Sequence, residues 1–187
     1  MKTLTLFFFI VFATLLTANA QITKGNWMVG GDASFFTNKT EYDPDENINT
    51  SEVSYLIASP NLGYFFIDKL AGGIDLQFLF VDPGKSVNSE SYGFGPYLRY
   101  YFLETEKQIN LFSQLGYNFG FSKSGSGSKT NSNGFALQIG TCLFFNSSVG
   151  LEFSLNYSDT KNTLDKTFVR KTKQFLVGLG FQIHLEK

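Results

Sequence analysis

The sequence predicts an all-β protein, an eight-stranded antiparallel up-and-down barrel whose apolar face points outward. Three observations lead to this prediction. Apolar and polar residues alternate in eight stretches, the connections between them are alternately short and long, and no charged residue interrupts the apolar faces. Alternation with a period of two indicates a strand with two chemically different faces. Frequent Phe and Tyr together with rare Pro also favour strands over helices.

Residues 1–20 are predicted to be a cleaved signal peptide. Lys2 precedes an apolar run from Leu4 to Leu16, and Ala18 and Ala20 lie just before the expected cleavage. This order is typical of secretory signal peptides, and the run is too short to span a membrane. The remaining residues, 21–187, are predicted to form one barrel domain of an exported protein.

The eight strands follow one another through residues 21–187. Most are about 10 to 14 residues long, and a tilted strand that crosses a bilayer needs about 9 to 11. The last one shows the alternation most clearly, since Phe175, Val177 and Leu179 begin a series at every second position. The predicted strands are 26–37, 53–66, 70–80, 91–103, 109–121, 134–145, 149–158 and 172–186.

The connections order these strands into hairpins. Strands 2 and 3, 4 and 5, and 6 and 7 are separated only by 67–69, 104–108 and 146–148. The other connections are long and polar, and both chain ends lie at the short-turn end. This alternation of short and long connections is typical of an up-and-down barrel. The long connections are predicted as loops over 38–52, 81–90, 122–133 and 159–171.

The volume of the side chains decides which face points inward. The interior of an eight-stranded barrel is just wide enough to be filled by side chains. The large apolar side chains of the eight strands would not fit there, whereas the small polar set would. Aromatic residues also gather near the strand ends, for example Trp27 and Tyr100 at the short-turn end and Tyr92 and Tyr157 at the other. Two such girdles are typical of a barrel that crosses a membrane.

In this pattern the chain resembles the small eight-stranded outer-membrane barrels of the OmpA/OmpX type, in the outer membrane protein beta-barrel domain family of Gram-negative bacteria. The resemblance covers residues 21–187 and lies in the pattern, not in a short motif. It implies a monomer in the cell outer membrane, in contact with membrane lipid and lipopolysaccharide. One departure is the end of the chain, His184-Leu185-Glu186-Lys187, where such barrels often finish on an aromatic residue.

Five ionisable residues are predicted on the interior face: Asp32, Asp75, Arg99, Glu152 and His184. The resemblance implies that such residues form an interior ionic network that closes the lumen. A buried charge needs a partner, because an unpaired one is strongly destabilising. Our hypothesis is that Arg99 pairs with Asp75 or Glu152.

Other functions find little support in the sequence. Basic and acidic residues nearly balance, 15 against 16, which argues against a nucleic-acid partner. Cys142 is the only cysteine, so no intrachain disulfide can form. The acidic stretch 43–49 has the spacing of a calcium loop, but Ile48 and Ser54 stand where that loop needs Gly and Glu. We therefore predict no enzyme activity, no cofactor and no metal.

The predicted function is a structural or surface-interaction role through the long loops, which would meet an extracellular ligand or a host surface. A narrow channel for small solutes is one alternative. A secreted lipocalin-like barrel is another, because Gly25 and Trp27 have the Gly-x-Trp spacing that opens that family. A lipocalin would need an apolar interior, however, and the alternation places polar residues there.

Overall fold

The computed structural model describes residues 22–42, 49–82, 84, 89–124, 129–165 and 168–186. The predicted signal peptide and most of the stretch with calcium-loop spacing lie outside these residues. In the described part, no helix is long and apolar enough to cross a membrane. The strands are β1 (Trp27–Tyr42), β2 (Asn49–Ile67), β3 (Leu70–Asp82), β4 (Ser89–Tyr101), β5 (Ile109–Ser124), β6 (Lys129–Phe144), β7 (Val149–Leu164) and β8 (Phe168–Leu185).

The eight strands form one closed antiparallel barrel in sequence order, and β8 pairs with β1 to close it. The predicted fold class is therefore confirmed. The outward orientation of the apolar face is also confirmed, since Leu98, Leu115 and Leu137 lie side by side on the outer wall, and Leu115 is 57% exposed. On the inner wall of the same strands, Arg99 and Gln114 are buried.

Hydrogen bonds from side chains stabilise the short connections. Asn146 Oδ1 accepts bonds from the backbone N–H groups of Ser148 and Val149, both at 2.8 Å, in the β6–β7 turn. Asn110 Oδ1 accepts a bond from the Leu103 N–H at 2.9 Å in the β4–β5 connection. Such Asn side chains replace missing backbone partners in a tight turn, so these turns can be short.

The prediction of long loops at the other end was wrong for three of the four connections. β1 and β2 pair as far as Tyr42 and Asn49, and β7 and β8 as far as Leu164 and Phe168. The hairpin of β5 and β6 continues in the same way. The hydrogen bonds between two paired strands involve only backbone groups. A hairpin can therefore stay paired beyond the apolar belt, even where the side chains on both faces of the strands are polar. Most of the expected loop residues therefore lie in paired strands.

The ladder that closes the barrel is short. β1 and β8 pair only from Trp27–Leu185 to Asp32–Gly180, although β1 stays paired with β2 as far as Tyr42. Gly31 lies at the point where the two strands part, and its φ of 135° is in the region that favours glycine. A Cβ at this position would clash with the carbonyl oxygen of Ser59 on β2. The geometry of β1 at this bend therefore requires glycine.

Candidate functional site: the barrel interior

The guanidinium of Arg99 forms the centre of a polar layer across the lumen. Arg99 is 1% exposed, and its Nη1 lies 2.6 Å from Glu152 Oε1 in a buried ion pair. Its Nε donates to Gln114 Oε1 at 2.7 Å, and its Nη2 donates to Gln138 Oε1 at 3.3 Å. The ring of Phe112 packs against the guanidinium, 4.5 Å from Cζ to the ring centroid. One arginine thus connects side chains from β5, β6 and β7.

Of the two partners proposed for Arg99, Glu152 forms the ion pair. Asp75 joins the same layer indirectly, because Gln114 Nε2 donates to Asp75 Oδ2 at 2.9 Å. On the other side of the lumen, Gln182 Nε2 donates to Asn61 Oδ1 at 3.0 Å. Arg99 Nη1 also donates to Gln182 Oε1 at 3.5 Å, so the layer includes side chains from every strand from β2 to β8. We call Asn61, Asp75, Arg99, Gln114, Gln138, Glu152 and Gln182 the polar plug.

The other two predicted members of the ionic network lie apart from this ion pair. Asp32 lies opposite Ser59 on the neighbouring strand β2. His184 is fully buried among aromatic rings, with centroid distances of 5.3 Å to Phe144 and 5.7 Å to Phe65. His184 therefore packs on the short-turn side of the polar plug, whereas Asp32 belongs to the last β1–β8 pair, nearer the long-hairpin end.

A layer of mostly apolar and aromatic side chains packs in the lumen at the short-turn end, and of its members the sequence-based prediction named only His184. We call this layer the aromatic floor. Its members share the lumenal face and are 1% exposed or less. The available signal was a run of adjacent bulky residues at the strand ends, as in Tyr64-Phe65-Phe66 and Tyr100-Tyr101-Phe102. The floor consists of Ile22, Met28, Phe65, Ala71, Tyr101, Phe112, Cys142, Phe144 and His184.

Above the polar plug, the lumen is more open and partly apolar. Ile57, Leu79 and Val81 face inward by register from β2 and β3, and they are half-buried. Leu176, on the same face of β8, is exposed. We call these four residues the upper apolar lining. The sequence-based prediction of a polar interior did not include them.

The upper lumen also borders the part of the wall where β1 and β8 do not pair. We call this part the seam, bounded by 33–42 of β1 and 168–179 of β8. The outward side chains of Phe35 and Val177 on its two edges are 71% and 79% exposed, because no neighbouring strand covers them on that side. The seam reaches down into the apolar belt, since Val177 lies beside Leu155 of β7.

The interior is densely packed at this level, because a buried ion pair with amide partners lies next to a layer of buried aromatic rings. In the described residues, no group of three His, Cys, Asp or Glu side chains could hold a metal ion. The arrangement holds a charge pair inside the barrel, and the inward side chains above it are only half-buried.

Comparisons with known proteins identify the architecture. No protein-family model matches the sequence, and a search of curated proteins found no match. Among solved structures, the chain is similar to the outer membrane protein OprG from Pseudomonas aeruginosa, with 20% identity, 90% of this chain and 100% of that chain covered, and a TM-score of 0.58.

Two further structures have the same architecture. Neisserial surface protein A (NspA) has 18% identity, with 86% of this chain and 99% of that chain covered, and a TM-score of 0.54. The N-terminal β-barrel domain of Pseudomonas aeruginosa OprF has 12% identity, with 87% and 98% covered, and a TM-score of 0.51. The chain therefore has the fold of the small eight-stranded outer-membrane β-barrels.

Proposed function

We propose that the protein is an integral outer-membrane barrel that is closed along its axis and acts at the cell surface through its projecting hairpins. The observation that carries this proposal is the length of the paired strands. β7 continues beyond the girdle residue Tyr157 to Leu164, and β8 returns from Phe168 to Phe175. Paired strands hold their side chains in a defined arrangement at lower conformational cost than a loop, which suits a binding surface.

The outward apolar belt supports the location in the membrane. Exposed Leu, Ile and Phe side chains surround the barrel at mid-height, with aromatic residues toward both ends. In water such a continuous apolar surface would promote aggregation, whereas in a bilayer it contacts acyl chains. The same belt argues against the secreted lipocalin-like alternative, because a soluble barrel would enclose these side chains.

The polar plug and the aromatic floor support the proposed closure along the axis. A solute that crossed the barrel would have to break the pair of Arg99 with Glu152 and then pass the rings of Phe65 and Phe144. This argues against the narrow-channel alternative for hydrophilic solutes. In planar lipid bilayers we expect the purified barrel to give no steady conductance, and stable open-channel currents in the wild type would overturn the closure.

The charge of the β7–β8 hairpin suggests the chemistry of a surface partner. Residues 159–173 contain five basic and two acidic residues. Arg170, Lys171 and Lys173 are exposed, and Leu164 and Val169 add apolar surface near the tip. Arginine and lysine recognise phosphate and carboxylate groups. An anionic envelope component such as lipopolysaccharide, or an anionic host surface, is the proposed class of partner.

A hairpin truncation tests this surface role. Thr160 and Thr172 are paired, so residues 161–171 can be replaced by an Asn-Gly turn without changing the register. We expect nanodiscs carrying this variant to lose binding to immobilised lipopolysaccharide, while the barrel keeps its heat-modifiable migration in gels. The matched control replaces 123–129 of the β5–β6 hairpin in the same way between Ser122 and Thr130. Equal binding by the wild type and the β7–β8 truncation would refute the proposal.

A second candidate function, a side route for apolar molecules, is favoured by one specific observation. The seam lies next to the upper apolar lining, so a molecule could pass between the upper lumen and the outer leaflet without crossing the plug. We expect cis-parinaric acid, an apolar fluorescent fatty acid, to bind the barrel in nanodiscs. Leu79→Asn and Leu176→Asn should each weaken this binding several-fold, and the lumenal control Gln77→Asn should not. Binding that is absent, or unaffected by both lining variants, would exclude the side route.

A further inference from the structure

We infer that the outward face of the β7–β8 hairpin binds the phosphate group of a lipid from the surrounding outer leaflet, and that Lys161 and Lys171 hold this phosphate between them. We call these two residues the lysine pair. The site rests on the proposed function, which gives the hairpin an anionic partner at the outer membrane. It narrows that partner to a lipid phosphate in the same membrane and names the residues that bind it.

The geometry of the lysine pair suits a phosphate group. Lys161 and Lys171 lie directly opposite each other on β7 and β8, and both side chains are exposed. Like charges in directly opposite positions destabilise a strand pair, and their Cβ atoms are only about 4.5 to 5.5 Å apart. Two ammonium groups at this spacing can both reach one phosphate, which a lysine binds as a point charge. A bound anion would therefore replace a repulsion with two attractions.

The neighbouring residues leave the positive charge of the lysine pair uncompensated. On the β6 side, the residue opposite Lys161 is the neutral Asn133. Asp159, the next outward residue on β7, lies opposite Lys173 and forms an exposed ion pair with it at 4.0 Å. The four outward side chains of these two β7–β8 rows therefore have a net charge of +2.

A second pair of opposed lysines has carboxylates on both sides. Lys123 and Lys129 lie opposite each other at the ends of β5 and β6. Glu90 of β4 lies opposite Lys123, and the backbone N–H of Lys129 donates to Asp165 Oδ1 at 3.1 Å. This row contains two carboxylates for two lysines, so its net charge is zero. The local charge balance, and not the presence of lysines alone, distinguishes the lysine pair.

The lysine pair lies just outside the aromatic girdle. Lys161 follows Tyr157 by four positions on β7, and Lys171 precedes Phe175 by four positions on β8. With a rise of about 3.3 Å per residue and a strand tilt of about 35 to 45°, this separation is about 10 Å along the membrane normal. The headgroup region extends about 5 to 8 Å beyond the hydrocarbon core, and a lysine stem can bend back toward it. The ammonium groups are therefore within reach of lipid phosphates.

The wall below the lysine pair offers a surface for an acyl chain. A shallow groove of about 340 Å³ on β4, β5 and β6 is lined by Leu98, Leu115, Tyr117 and Phe135. Phe135 lies opposite Asp159 of β7, one outward row below the lysine pair. A lipid that is held by its phosphate can place a chain against this groove, whereas a free phosphate ion gains nothing from it. This difference favours a lipid over a soluble anion.

The other side of the barrel has the reverse charge at its outer rim. The described outward side chains of β2, β3 and β4 include Glu52, Asp82 and Glu90, which are exposed. These three strands contain no lysine, and their only arginine is the buried Arg99. Carboxylates repel a lipid phosphate, so the bound lipid belongs on the β7–β8 side alone.

Lipid binding by charge-deleted variants tests the site. The probe is bisphosphorylated lipid A, added to the purified full barrel in detergent micelles, and native mass spectrometry measures how much lipid stays bound. The variant Lys161→Gln with Lys171→Gln removes both charges and keeps polar side chains. The matched control, Lys123→Gln with Lys129→Gln, removes the same charge from the same outer face. Phosphate-free lipid A and an excess of inorganic phosphate are the two further arms.

We expect the wild type and the control variant to bind bisphosphorylated lipid A equally. The lysine-pair variant should bind it several-fold more weakly. Phosphate-free lipid A should bind weakly, and to the same extent, to all three proteins. Inorganic phosphate should not displace the bound lipid, because it lacks the acyl chains. Heat-modifiable migration in gels shows that each variant is folded, and substitutions at exposed positions should leave it unchanged.

Three results would overturn the inference. If the lysine-pair variant binds lipid A as tightly as the wild type, the pair does not hold the phosphate. If both variants lose binding equally, the attraction is a general effect of positive charge. If inorganic phosphate displaces the lipid, the site takes a free anion. The first result, combined with loss of lipopolysaccharide binding by the hairpin truncation, would remove this site and leave the proposed surface role standing.

Discussion

Replacement of Arg99 by methionine is expected to lower the free energy of unfolding by about 3 to 5 kcal/mol. The change leaves Glu152 buried without its cationic partner and removes the donor for Gln114 and Gln138. Methionine keeps most of the volume and the contact with Phe112, so the loss should arise mainly from electrostatics. Urea unfolding of the barrel in lipid vesicles, followed by gel mobility, measures the effect.

Two companion variants identify the cause. The double variant Arg99→Met and Glu152→Met removes both charges and should recover most of the lost stability, because replacing a buried ion pair with apolar groups is often neutral. The exposed pair of Lys173 with Asp159, at 4.0 Å, provides the contrast, and Lys173→Met should cost at most about 1 kcal/mol. If the double variant is as unstable as Arg99→Met, the loss is due to packing and not to an unpaired carboxylate.

The second large effect is expected on the outer wall. Leu115→Arg places a charge at mid-height of β5, where Leu98 and Leu137 are its outward neighbours. If this wall faces the middle of the bilayer, the change should cost about 2 to 4 kcal/mol of unfolding free energy. Vesicle-based urea unfolding again provides the measurement, and the yield of heat-modifiable barrel reports assembly.

The control position also points outward, but it lies beyond the apolar belt, toward the long-hairpin end. Asn131 of β6 is exposed and lies beside Phe121 of β5. Asn131→Arg should cost about 1 kcal/mol or less, because a charge near the interface remains solvated. Equal and small costs for both variants would contradict the placement of the apolar belt in the membrane.

The prediction of the wall from the sequence succeeded because alternation is a local property. Whether Phe153 points out and Glu152 points in depends only on the period of the strand, and the length of each apolar run marks the height of the belt. Long polar stretches, by contrast, carry no local sign of strand or loop. The pairing of 159–164 with 168–173 depends on the ladder already formed below it, so these residues were predicted as a loop.

The interior was predicted less completely, for a different physical reason. Parity places Arg99, Asp75 and Glu152 on the inner wall, but the choice between two carboxylates depends on how far strands are staggered around the barrel. The guanidinium reaches Glu152 on β7, three strands away, while Asp75 on the neighbouring β3 is bonded to Gln114 instead. Sequence distance contains no information on that choice.

By itself, the sequence determined that eight strands alternate, that their apolar face is too large to be enclosed, and that the connections are short at one end. These properties follow from side-chain chemistry and strand period. Only the tertiary structure decided which carboxylate meets Arg99, which side chains pack in the aromatic floor, and where β1 leaves β8. Each of these depends on strand stagger and on backbone bends such as Gly31, which arise only when the sheet closes on itself.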